Sequence, residues 1–244
     1  MACPKWYGIR TEGDYTPVNL EPIIIYWTHC YHVTAVVNLR GIRHLRVLFP
    51  ASTLFRKMER SELLSCRRTH DVQLRFQNQE ILVRNQAPLD PDHIDLGSAE
   101  KFEEYVACLN THVFFWPGTA SGPTPDGVRM FRRTAGVKSA MIRVPSRSLM
   151  EANEGSMVHL STCNTGASWI GEGKKSQRGI GIFQRAESFS EPPDRIQEIL
   201  FRGSVNLPRD SEYSGGIRRS WSSLFADTNR RPEVSQRPSK SGSW

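Results

Sequence analysis

The sequence predicts an α+β fold, a body of mostly short strands with few helices that runs into a basic, serine-rich tail. Three observations lead there. Apolar residues make up 38% of the 244, enough for a buried core. Most apolar runs are short, β-branched or aromatic, and bounded by Gly, Pro or polar turns, which is how strands read. Only residues 35–45 and 98–109 place apolar side chains at helical spacing.

In chain order, Pro22-Ile23-Ile24-Ile25-Tyr26-Trp27 suits either a strand or a hydrophobic helix turn. Tyr31-His32-Val33-Thr34 comes next, and Val36, Leu39 and Ile42 give residues 35–45 one apolar helical face. Val72, Leu74 and Phe76 alternate, a polar turn at Gln77-Asn78-Gln79 follows, and Glu80-Ile81-Leu82-Val83 completes a β-hairpin. A helix is predicted over 98–109, capped by Ser98, with Phe102, Tyr105, Val106 and Leu109 on one face. Val113-Phe114-Phe115-Trp116 is a buried strand expected to stop at Pro117-Gly118, and the Gly/Pro-punctuated residues 119–128 read as a loop. Further strands fall at 139–144, at 199–201 and around Val205. Residues 166–181 hold five glycines with Lys174, Lys175 and Arg178 and read as a mobile basic loop.

Residues 1–208 form the expected domain, and 209–244 a flexible tail with nine serines, seven Lys/Arg and four Asp/Glu. The net charge of +7 makes a polyanionic partner reasonable, but almost half of that excess sits in the tail. No apolar run approaches the ~20 residues of a membrane-spanning helix, and the N-terminus lacks the charged lead and apolar core of a secretory signal. Five widely spaced cysteines show no zinc-ligand spacing and read as reduced thiols of a cytoplasmic protein without a metal. Walker, Rossmann, nucleophile-elbow and His-Glu-x-x-His patterns are absent from the sequence, which argues against those enzyme classes.

Four stretches could carry chemistry. In His32-x-Thr34 two residues two apart share one side of a strand, offering an imidazole and a hydroxyl to one ligand edge; the plainer alternative is a histidine bonded to a neighbouring carbonyl. Arg67-Arg68 could clamp phosphate or simply face solvent. Phe115-Trp116 could line a pocket for a planar ring or belong to the core. Glu198 interrupts an apolar strand start, where a carboxylate is either an edge residue facing water or a buried group kept for function.

Taken in order, His-x-Thr-(x)3-Asn-Leu-x-x-Ile (His32 to Ile42), the arginine pair, the aromatic strand ending in Pro117 and the late Glu198-Ile199-Leu200-Phe201 strand resemble the DarT-like ADP-ribosyltransferases, over about residues 29–208. The resemblance implies a split mixed β-sheet with few peripheral helices, holding NAD in a cleft. It implies that His32 and Thr34 contact NAD, that Asn38 and Leu39 support the pocket, and that Phe115 and Trp116 lie beside nicotinamide. Arg67 or Arg68 would contact phosphate and acceptor, and Glu198 would be catalytic. Val158-His159-Leu160 with Asn164 and Ala167 resembles the segment leading to the acceptor. The chain departs from the family at its aromatic strand, in about thirty extra residues after the hairpin, and at Gln197, which is adjacent to Glu198 instead of two residues before it.

The expected function is therefore mono-ADP-ribosyl transfer from NAD to a DNA or RNA base with release of nicotinamide, as in a toxin or defence effector with an antitoxin as a further partner. A protein or small-molecule acceptor, or a non-catalytic nucleic-acid-binding module, are the alternatives. Truncation at Pro208 is expected to spare NAD cleavage.

Overall fold

A computed structural model of the chain describes residues 20–97, 100–134, 138–215 and 220–226. Ser98 and residues 216–219 and 227–244 of the expected tail lie outside them. The chain opens with α1 (Glu21–Tyr26), β1 (His29–Ala35), a 3-10 turn, α2 (Leu39–Leu45), β2 (Val47–Leu48), α3 (Ala51–Lys57) and the hairpin β3 (Val72–Phe76) and β4 (Gln79–Val83). Then come β5 (Ile94–Asp95), α4 (Phe102–Asn110), β6 (His112–Thr119), β7 (Gly122–Pro123), α5 (Pro125–Arg133), β8 (Ser139–Pro145) and α6 (Ser146–Glu151). The remainder is β9 (Val158–Ser161), β10 (Ile170–Gly171), β11 (Lys174–Gln177), β12 (Gln184–Arg185), β13 (Glu198–Arg202), β14 (Val205–Asn206), β15 (Glu212–Ser214) and β16 (Ser222–Ser223).

One sheet organises these elements, in the order β12-β9-β13-β6-β1-β8-β15-β16 with β7 added on β6. Its pairings are antiparallel, whereas the parallel pair β11–β5 belongs to a small three-stranded sheet. The expected mixed sheet is thus an antiparallel sheet with a parallel pair beside it. Its two central strands separate: β1 pairs with β6 only from His29↔Gly118 to Tyr31↔Trp116. Past that point β1 stays with β8 as far as Ala35↔Ser139, and β6 stays with β13 as far as His112↔Arg202.

Alternation assigns the faces. Cys30, Phe115, Ile142, Ile199 and Phe201 pack on one side with Leu39 and Ile42 of α2 and Leu149 of α6. On the other, Leu200 packs with Tyr105, Val106 and Leu109, which are the inward stripe of α4. The hairpin closes through Phe76↔Gln79, so its turn is the two residues Gln77 and Asn78, at φ 49° and 60°. Both dihedrals positive is the two-residue turn whose twist matches the flanking strands, and Asn tolerates it well.

Residues 22–27, open between strand and helix turn in the sequence, are mostly helix, with Pro22 in the first turn where its missing N–H costs nothing. Several expectations are corrected. Pro117-Gly118 does not stop the aromatic strand: Pro117 pairs with Cys30, beyond the last residue paired with β13, where a missing N–H is tolerated. Residues 119–128 are not simply a loop, since they hold β7 and the start of α5. The segment 166–181 contains the β10–β11 hairpin, and Arg178 is buried, donating to the carbonyls of Ala167, Asn164 and Gln177. Finally, the sheet continues past residue 208. Glu212–Ser214 pairs with β8, Glu212 is bonded to Arg143, and Leu224 is buried in the main core. The tail boundary therefore falls later than the serine content suggests.

Candidate active site

Where β1 and β6 part, the fold leaves a cleft of about 580 Å³, within the range of sites for ligands of cofactor size. His32 and Thr34 reach it from β1, Trp116 from β6, Arg68 and Arg84 from the segments flanking the hairpin, and Glu198 from β13. Its far end is apolar, lined by side chains such as Leu54, Phe76 and Val83 beneath the hairpin.

Glu198 is 1% exposed. Thr165 donates to its Oε2 twice, from the backbone N–H at 3.0 Å and from the hydroxyl at 2.6 Å. Burial pushes the carboxyl pKa up to about 7 against those two hydrogen bonds; the Asp126 charge adds to the upward push and Arg178 opposes it. Glu198 is thus neither an edge residue nor facing water. It is a carboxyl held on one oxygen and poised to change protonation state near neutral pH.

His32 takes both readings open at the outset. Its Nδ1–H donates to the Phe114 carbonyl at 2.9 Å, which in the neutral ring leaves Nε2 an acceptor, and burial holds its pKa below the usual value. It also lines the cleft, as does Thr34. Asn38 locks the pair to the hairpin: its amide N–H donates to Thr34 Oγ1 at 3.0 Å and to the Leu82 carbonyl at 3.0 Å, while its Oδ1 accepts the Leu82 N–H at 2.8 Å. An asparagine here acts as one more residue of β-ladder, fixing the cleft wall.

The two arginines separate. Arg68 is buried, donates from Nη1 to Asn110 Oδ1 at 2.7 Å and from Nε to the Arg84 carbonyl, and lies over the Phe55 ring. Burial lowers its pKa to about 10, which still leaves it charged at neutral pH. Arg67 instead turns to the carbonyls of Gln86 and Ala87 and does not line the cleft. Leu39 and Phe115 are also away from it, packed in the main core; Phe115 lies on the opposite sheet face from Trp116 because neighbours on a strand alternate. Of the late segment, Asn164 and Ala167 line the cleft, while His159 is buried against His112 at 3.1 Å.

Sequence reasoning missed three contributors, Arg84, Asp126 and Arg129. Arg84 crosses to Ser139 and keeps a buried Nε without a partner. Trp116 Nε1 is likewise buried without a hydrogen-bond partner. Asp126 and Arg129, ion-paired on α5, reach the cleft because Gly127 lets that helix sit directly on Trp116: a Cβ at Gly127 would stand 3.0 Å from the Trp116 Cβ and 2.8 Å from the Pro123 Cβ. Pro-Asp-Gly reads as a turn locally, so only the α5 contact could reveal it. Among the described residues no group of His, Cys, Asp or Glu is arranged to hold a metal, and no helix is long and apolar enough to cross a membrane.

A family profile matches residues 28–211, three quarters of the chain. The chain belongs to DUF7002, a family of unknown function. No curated protein and no solved structure matches it. The DUF7002 region begins just before β1 and ends just before β15, so His32, Arg68, Asp126 and Glu198 all fall within it.

Proposed function

We propose that this DUF7002 protein is an NAD-dependent mono-ADP-ribosyltransferase acting on a nucleic-acid base. The observation that carries the reading is Glu198, a buried carboxyl held by Thr165 beside a cleft of cofactor size. Breaking the nicotinamide–ribose bond builds positive charge on C1′, and a preorganised carboxylate in a site of low dielectric stabilises that charge without reorganising.

The cleft's other groups fit the same donor. Arg68 and Arg84 line the cleft and supply cations for a pyrophosphate. Thr34 and the Nε2 of His32 are polar contacts for ribose hydroxyls or the carboxamide. The nucleic-acid acceptor is supported by Lys174 and Lys175, exposed on the β10–β11 hairpin beside the cleft. Such an activity suits a toxin or defence effector.

The test is incubation with NAD labelled in its ADP-ribose part and a panel of single-stranded DNA, RNA and protein, following nicotinamide release and label transfer. Wild type is expected to release nicotinamide and label a nucleic acid; Glu198→Gln is expected to do neither. Label on protein alone would replace the acceptor, and no nicotinamide release would leave a non-catalytic binding module as the better reading.

A further inference from the structure

A second, shallower recess opens beside the cleft, lined by Lys174, Lys175, Gln177, Cys163 and Arg178. Four side chains line both spaces: Asp126, Arg129, Asn164 and Trp169. Glu198 lines only the cleft. Of the four shared residues, Arg129 is a cation, Asn164 an amide and Trp169 an indole, so Asp126 is the one that can take a proton at the junction. Its placement is rigid. It stands in the first turn of α5, ion-paired with Arg129 one turn on, and that helix is seated on Trp116 through Gly127.

We propose that Asp126 is the acceptor-side base, and that the nucleophile enters through the Lys174–Lys175 recess. This rests on the NAD reading and divides its work between two carboxyl groups. Glu198 faces the donor sugar. The glycosidic C1′–N bond breaks with its electron pair leaving on nicotinamide; a lone pair of the acceptor oxygen or nitrogen forms the new bond to C1′; the acceptor's proton passes to the Asp126 carboxylate and on to water. When water is the acceptor the product is ADP-ribose. Both acids line the cleft, and the Asp126 charge adds to the upward push on the Glu198 carboxyl.

The test follows nicotinamide release with water as acceptor, with and without sodium azide, an anion that attacks C1′ with no proton to lose. Asp126→Asn is expected to lose about 100-fold or more, the usual worth of a general base, and to regain activity with azide as ADP-ribosyl azide forms. Glu198→Gln is expected to lose activity that azide does not restore. An Asp126→Asn rate within threefold of wild type would overturn the assignment. So would a loss that azide fails to restore in both Asp126→Asn and Asp126→Ala, which marks a structural role. A wild type that releases no nicotinamide would instead overturn the NAD reading, and this one with it.

Discussion

Thr165 and Glu198 are 33 residues apart in sequence, yet Thr165 places both its backbone N–H and its hydroxyl on a single carboxyl oxygen, Oε2. Burial drives that carboxyl toward neutrality while the two donors hold it toward ionisation. The balance between them sets what the site can do at neutral pH.

Thr165→Val removes the hydroxyl donor and keeps the volume. A hydrogen bond to a charged group is worth about 1.5 kcal/mol, roughly one pKa unit. The acid limb of the nicotinamide-release profile is expected to move up by about that amount, with kcat near wild type on the alkaline plateau. A profile that falls uniformly without moving would show that the hydroxyl acts only through packing.

Glu198→Gln is expected to stabilise the fold at alkaline pH. The folded carboxyl ionises near 7 and the unfolded one near 4.5, so folding binds a proton between those values. Its contribution is fully present below 4.5 and is lost as pH rises to about 7. At pH 8 the variant should exceed wild type by about 3 kcal/mol in urea denaturation, and the difference should shrink toward pH 5. Equal stability of the two proteins at pH 8 would count against a buried, destabilised carboxylate.

Arg68 and Arg67 should behave differently although they are adjacent. Arg68→Gln is expected to weaken NAD binding by about tenfold or more, the worth of one charge-assisted hydrogen bond. Arg67→Ala should leave the Kd within about twofold. Calorimetry on both variants, with a thermal melt to check folding, decides the matter, and a reversed order would place the phosphate outside the cleft.

Truncation at Pro208 is expected to unfold or strongly destabilise the protein, contrary to the tail's composition. It removes β15 from β8, the Glu212–Arg143 pair, the Trp221 ring against Tyr31, and Leu224 from the core. Deleting Leu224 alone by Leu224→Ala should cost about 2–4 kcal/mol. Retention of a wild-type melting temperature after truncation would contradict the β15–β8 pairing.

Local pattern was enough to find most of the body. Alternation located the β3–β4 hairpin, short apolar runs located β6 and β13, and helical spacing located α2 and α4, because burial is written at short range there. It also singled out His32 and Glu198, polar residues in or beside apolar runs, and the Arg67-Arg68 pair without choosing between its members. It failed where the deciding partner is remote. Residues 212–214, in the serine-rich tail, become a strand because β8 offers them an open edge, and Pro-Asp-Gly becomes the start of a helix because Trp116 lies under Gly127. Arg67 and Arg68 are equivalent by composition, and only the path of the chain past Asn110 turns one inward and the other out. Which face of a strand carries Phe115 or Trp116, and whether Glu198 meets water or Thr165, are likewise settled by packing between distant segments. Burial is a property of the whole fold, and the charge state of a carboxyl follows burial.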